Sequence, residues 1–518
     1  MKAPPATISQ DILDDIAHAQ QLYDDGDWDG AEPIVRKLLR HGFAQPITYD
    51  ALASILQFQG NKMDLALDCY RKALAIDPSY IEALNRLILV LDVLPDTTAK
   101  QAQKQRQKWW AQFGEPLYRD RRPHDNDKDP DRPLRVGYVS GDYIFHSAAA
   151  VFHRVVTRHS DAVLPFFYSA TPHDKYHSIT NTYRALPGWR DCVGRPDWAV
   201  ADLIRRDAID ILVDLSGYTA YNQLQVFAMK PAPIQLTGWG YATGVGWPAM
   251  DGLLSDAIVI PPERRHEHIE RIVELPCIIT YEGPAELPGP NPAPCLTGPP
   301  VFGAFHRSLK INDEVLAVWL QLLQRVPDAR LILKSQYCQS FVDWMRRRLA
   351  PVIDRVDILG STGHEEHMLM FQQVDLFLDT WPQTGGVTTC EAAWMGVPTV
   401  TLTGPRVIQR TSHSINHVLG LDAFITETPE QYIEKAASCV TGWRSELNDL
   451  RQDLRRIFQA SPIMAGYTEA VEAAYRQLWR AWCAKPVSLQ DARQRLAMVL
   501  ASRGPQSKIR RHHPNVPH

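Results

Sequence analysis

Residues 282–299, EGPAELPGPNPAPCLTGP, break the chain more sharply than any other stretch. Proline fixes φ and removes an amide donor, and glycine is costly to order, so the run continues neither a helix nor a strand. The same grammar stands on both sides of it. Before the break, apolar runs at 134–140, 164–168 and 209–214 alternate with helical patterns such as 198–206. After it, runs at 301–305, 329–334, 356–359, 376–379 and 399–402 follow, most with a helical pattern behind them. Uniformly apolar strands separated by helices need a parallel sheet covered on both faces. Two such series predict an α/β fold of two Rossmann-like domains, 134–290 and 291–482. Ligands should sit in the cleft between them, beyond the carboxyl ends of the strands.

The chain before residue 96 has a different period. Gly26-Asp27-Trp28-Asp29-Gly30-Ala31 returns at Gly60-Asn61-Lys62-Met63-Asp64-Leu65-Ala66, an offset of 60 − 26 = 34 residues with one insertion. The second copy runs on through Tyr70, Ala73 and Asp77-Pro78. Small residues let paired helices approach, aromatics fill the gap and proline ends the second helix, so residues 1–95 read as tetratricopeptide-like helical repeats. So few copies cannot close their own core, and they should pack on the rest of the protein. A docking surface for a protein partner and a structural cap are equally good readings. Residues 96–133 read as a helical linker whose polar end begins near Arg119. Residues 483–518 should hold the end of the C-terminal helix and a disordered basic tail.

At 518 residues the chain is too long for one core, and a net charge of -4 argues against a general nucleic-acid or membrane-surface binder. The eight cysteines form no CxxC pair and fit reduced, buried thiols. No apolar run reaches membrane-spanning length, and the N-terminus lacks a signal-like apolar stretch, so a cytoplasmic protein is expected.

The chemistry gathers at strand ends. Gly385-Gly386-Val387-Thr388-Thr389-Cys390-Glu391 follows an apolar run and opens a helical segment that closes at Gly396-Val397-Pro398. Glycines let the backbone come close to a ligand, and free amides at a helix start attract phosphate oxygens. Glu391, one turn in, has the wrong charge for phosphate and suits a ribose diol. The segment reads as a sugar-nucleotide pocket, against the plain alternative of a turn that only packs. Arg307 and Lys310 follow the first strand of the second series, where a cation faces a pyrophosphate and stabilises a leaving diphosphate. His146 occupies the equivalent loop of the first series, as an acid/base, an oxyanion ligand or a satisfied structural histidine. His364 and His367, like His413 and His417, have helical spacing compatible with a metal, but no closed zinc pattern supports one. A base-facing imidazole at the nucleotide end suits His367 better. The loops with Gly217-Tyr218-Thr219 and 238–244 fit either a sugar or peptide surface or simple packing.

As a set, LRVGYVSGDYIFHSAA, GYT…FAMKPAPIQ, GYATGVG…MDGLLSD, FHRSLKI, GHEEHM and GGVTTCEAAWMGVPTVTL, behind a tetratricopeptide start, resemble the protein O-GlcNAc transferases of the bacterial SPINDLY-like branch. The resemblance runs in order over roughly residues 134 to 480. It implies a GT-B fold and an inverting, metal-independent transfer of GlcNAc from UDP-GlcNAc to protein Ser or Thr, with no cofactor. It puts the family's loop histidine on His146, its pyrophosphate lysine on Lys310, and its nucleotide-end histidine on His367. The phosphate loop falls on Gly385, Gly386, Val387, Thr388 and Thr389, and the ribose acid on Glu391. His306-Arg307 replaces a common Asn-Gln pair, Val387 a usual Thr, and Arg205 stands for a second family histidine. Implied partners are a nucleotide-sugar donor and a protein or peptide acceptor. Related branches resemble GDP-fucose O-fucosyltransferases and UDP-glucose transferases, so spacing leaves the donor open; a non-catalytic repeat scaffold is the other alternative.

Overall fold

The computed structural model describes residues 9–486; the expected disordered tail lies outside the described residues. Two parallel sheets form the body. The first holds β1 (Leu134–Ser140), β2 (Val163–Ser169), β3 (Trp189–Asp191), β4 (Ile211–Asp214), β5 (Ile234–Thr237), β6 (Gly252–Ser255) and β7 (Arg271–Glu274). Their order is β3-β2-β1-β4-β5-β6-β7. The second holds β8 (Val301–Ala304), β9 (Arg330–Lys334), β10 (Val356–Leu359), β11 (Leu376–Leu378), β12 (Thr399–Leu402) and β13 (Ile425–Thr426), in the order β10-β9-β8-β11-β12-β13. In each sheet the chain starts centrally, runs to one edge and then crosses to the other side, which leaves a switch point beside β1 and beside β8. Register follows the apolar pattern: Val136 lies between Pro165 and Ile211, and Phe302 between Leu331 and Leu376. This is the GT-B arrangement that the sequence implies.

The last described helix, Tyr467–Cys483, returns to the first half, where it packs on the Ser147–Thr157 helix and on β5. Glu472 accepts from Ser160 and pairs with His159 at 2.9 Å, and the Tyr475 hydroxyl meets that of Tyr138 at 3.3 Å. The polar stretch after Arg119 is a strap rather than a loose tether. Asn126 and the Arg132 guanidinium converge on the buried carboxylate of Asp210, and Trp479 donates to the Asp129 carbonyl.

The repeats pack on both halves, as their missing core requires. Trp109 and Trp110, where the Ala99–Trp109 helix passes into a π turn, stack on Trp247 at 5.3 and 5.1 Å. Behind them Arg106 and Asp92 form a buried pair that Tyr241 and Thr243 complete. Losing one partner of such a pair typically costs about 3–5 kcal/mol, so this contact fixes the repeats to the first half. Tyr218, Trp239 and Tyr241 are buried, so these aromatics of the first-half loops serve packing. All eight cysteines are free thiols, and no described helix is long and apolar enough to cross a membrane.

Candidate active site

The second-half loop is built from a buried acid outward. Asp379, just past β11, is fully buried and accepts from Thr380 N, Gly385 N at 2.7 Å and Thr401 Oγ1 at 2.7 Å. It ties the Gly385-Gly386 turn to the end of the sheet. A side chain at Gly385 would strike the Thr389 hydroxyl, so glycine is needed there for close approach. Thr389 faces inward, 2.9 Å from Ser412 Oγ, which in turn donates to the Gly385 carbonyl. Its hydroxyl therefore shapes the turn, and what it offers a ligand is its amide. The Val387–Trp394 helix has no side-chain cap at its start. Its first amides, from Val387 to Thr389, have no acceptor within the helix and form a cluster of partial positive charge. Val387 and Thr388 are half-buried at that opening.

Lys310 reaches the same turn from β8. Its Nζ donates to the Thr384 carbonyl at 2.8 Å. Burial pushes the ammonium down to about 8, against the pull of Asp379 and with some help from Arg307. Arg307 is exposed and crosses the cleft, where Nη2 donates to Ser147 Oγ at 3.2 Å. His306 turns the other way: it is buried, bonds to the Leu378 carbonyl at 2.8 Å and, desolvated and near Lys310, is held at about 3, hence neutral.

One helix turn into Val387–Trp394, Glu391 is buried between two imidazoles, with His364 Nε2 at 3.5 Å and His367 Nε2 at 3.3 Å. Burial works to raise its pKa, but the bonds from His364 and His367 hold it at about 2. Lys334, the last residue of β9, places Nζ 3.0 Å from His367 Nδ1. An ammonium only donates, so Nδ1 accepts and the imidazole proton sits on Nε2, facing Glu391. Lys334 was not singled out from the sequence, although its place at the carboxyl end of a strand was a usable signal. The two histidines thus serve a carboxylate. Among the described residues no group of three or more His, Cys, Asp or Glu is placed to hold a metal; His413 bonds to Thr403 and His417 to Asp422.

Across the cleft, His146 caps the Ser147–Thr157 helix. Its Nδ1 accepts from Ala148 N at 3.2 Å, with Asp142 Oδ1 3.6 Å away, so the ring proton lies on Nε2. The neighbouring Phe145 ring meets His364 edge-on at 5.1 Å, across the cleft. The structure brings His146, Arg307, Lys310, His364, His367, Glu391 and the 385–389 turn to one cleft. Arg205 is not among them. It lies in the last turn of the Asp197–Arg206 helix, which leads into the amino end of β4, opposite the carboxyl ends that face the cleft, and it donates to the Met229 carbonyl.

The comparisons with known proteins concern the family and the fold. The glycosyl transferase family 41 profile matches residues 117–280 and 298–470. A probable UDP-N-acetylglucosamine–peptide N-acetylglucosaminyltransferase SPINDLY from Petunia hybrida is 33% identical over 463 residues, 84% of this chain and 49% of that protein. The protein of the same description from Solanum lycopersicum is 34% identical over 433 residues, 79% of this chain and 45% of its own length. The chain thus spans about half the length of the curated relatives it matches. A solved lysine-to-methionine variant of an O-GlcNAc transferase from Thermobaculum terrenum superposes with a TM-score of 0.83 at 30% identity, covering 90% of each chain. From the profile, the shared fold and the cleft residues together, the chain belongs to glycosyl transferase family 41.

Proposed function

We propose that the chain is an inverting, metal-independent glycosyltransferase that moves GlcNAc from UDP-GlcNAc to Ser or Thr of proteins. The observation that carries this reading is the meeting of Lys310 with an uncapped helix start, one helix turn from a buried carboxylate that two imidazoles hold ionised. Lys310 and the amides of Val387, Thr388 and Thr389 would take the two phosphates, with Arg307 at the rim. Glu391 would accept from the ribose hydroxyls, and His364 and His367 would line the nucleoside end. The acceptor hydroxyl enters from the His146 side and attacks the anomeric carbon. The bond to the diphosphate oxygen breaks on the opposite face, and the leaving charge passes to Lys310 and the helix start. His146, with its proton on Nε2, acts as a donor that orients the acceptor or sugar. The acceptor's proton leaves to a phosphate oxygen or water. The domain limits belong to the same proposal: 134–290 is the acceptor half and 291–482 the donor half, except that the 467–483 helix packs with the former.

Saturation binding of UDP-GlcNAc, UDP-glucose and GDP-fucose, with transfer to peptide followed in parallel, tests the reading. One UDP-sugar should bind best, and measurably more weakly in Lys310→Met. Preference for GDP-fucose would move the chain to fucosyl transfer on the same architecture, and binding of none of the three would refute a donor site.

A further inference from the structure

The two repeat copies place equivalent glycines on successive loops of the donor half. Gly26 and Gly60 both have φ +78, the left-handed region that the tight turn between paired helices requires. Gly26 abuts Gln336, in the loop after β9, and nearby Asp29 accepts from Ser340 N at 2.7 Å and Ser340 Oγ at 2.6 Å. Gly60 abuts the loop after β8. A Cβ there would lie 2.7 Å from Ser308 Cβ, and 2.8 Å from both the Ser308 carbonyl carbon and Phe341 Cε2. Ser308 Oγ donates to the Phe58 carbonyl at 2.7 Å, and Phe58 is itself stacked on Trp28 at 5.0 Å.

Ser308 opens the tight 3₁₀ turn Ser308–Lys310, closed by Lys310 N to the Arg307 carbonyl at 3.0 Å and Ile311 N to the Ser308 carbonyl at 3.1 Å. From the other side, the Tyr337 hydroxyl donates to the His306 carbonyl at 2.9 Å. The backbone that carries Lys310 is therefore clamped between the second repeat and the loop after β9. A short hydrogen-bonded turn has few soft dihedrals, so a displacement at Ser308 moves Lys310 with it.

We propose that the Gln59-Gly60 turn of the second repeat, acting through Ser308, is a positioning element for Lys310. The proposal rests on the donor site described above. It gives the repeats a part in building the leaving-group site, whatever else they bind.

The test uses the full chain, UDP as probe and Gly26→Ala as a control that strains the sister turn, where the added Cβ meets the yielding far end of the Gln336 side chain rather than backbone. Gly60→Ala should weaken UDP binding on the order of tenfold, and Ser308→Ala by roughly threefold, while Gly26→Ala stays within about twofold. In a Lys310→Met background Gly60→Ala should cost nothing more, because the group it positions is gone. Equal losses from Gly60→Ala and Gly26→Ala, or an undiminished loss in the Lys310→Met background, would overturn the proposal. If Gly60→Ala fails to fold by circular dichroism, Ser308→Ala takes its place in the same cycle, with Ser308→Thr as the conservative rescue. If the unmodified chain binds no UDP, the functional reading fails by itself. The rate at which acetic anhydride labels Lys310 then decides the positioning claim: a changed rate in Gly60→Ala supports it, an unchanged one overturns it.

Discussion

The loops after β1 and β8 occupy the same place in two sheets of the same topology, yet they are built differently. The β8 loop is held by the second repeat, by Tyr337 and by its own 3₁₀ turn, and it delivers a partly desolvated ammonium to the Thr384 carbonyl, at the start of the glycine turn. The β1 loop ends in an exposed histidine that caps a helix. A site that stabilises a leaving diphosphate gains from charge fixed before the reaction, since no reorganisation is then needed. A site that admits many acceptor side chains gains from room. On the proposed function, the same topological position is tied down where it would handle the constant part of the substrate and exposed where it would handle the variable part.

Removing the charge on the rigid side should have the largest effect. Lys310→Met should reduce transfer by at least about 10²-fold, measured as kcat at saturating donor; a fall of only a few-fold would erase the contrast between the loops. Next comes Glu391→Ala, which leaves His364 and His367 without their acceptor and the ribose without its carboxylate. UDP affinity should drop by roughly 10- to 100-fold in calorimetry, as expected for losing charge-assisted bonds in a buried site.

The alkaline limb offers a sharper measure. The Lys310 ammonium lies at about 8, so it is charged below that pH and neutral above it. UDP affinity should therefore be level toward pH 7 and fall by about tenfold for each unit above the ammonium's pKa, and Lys310→Met should flatten the profile. A bound diphosphate favours the charged form, so the fall should level off again above the higher pKa that the ammonium has in the complex. His146→Ala is the smallest expected loss. It should lower kcat/KM for a peptide acceptor by about tenfold and leave UDP affinity unchanged, since the residue orients groups on the open side. An equal loss in UDP affinity would mean that both loops serve the donor.

The glycine-rich turn, the lysine after β8 and the acid one turn into the helix were legible in the chain because each follows a strand, and strand ends in such sheets converge on one cleft. Lys334 was hidden because a lysine closing an apolar run looks like ordinary strand punctuation. Its role arises only when β9 and the 364–370 helix bring Nζ to His367. Thr389 was legible as part of the loop, but not its inward turn toward Ser412, which comes from a helix more than twenty residues further on. Arg205 had a family position but stands at the wrong end of its helix. Sequence spacing gives a residue's order along the chain, not the sheet edge it reaches.

By itself the sequence determined the two parallel-sheet halves, the break between them and the repeats before them, because period and strand patterning are local properties of the chain. It also determined which residues lie at the carboxyl ends of β8 and β11. Only the tertiary structure decided that the 467–483 helix belongs to the first half, that two histidines hold Glu391 ionised while a lysine fixes the tautomer of one of them, and that a glycine in the second repeat rests on the turn carrying Lys310. Those are contacts between segments hundreds of residues or several elements apart, and they depend on how finished elements pack rather than on the pattern within any one of them.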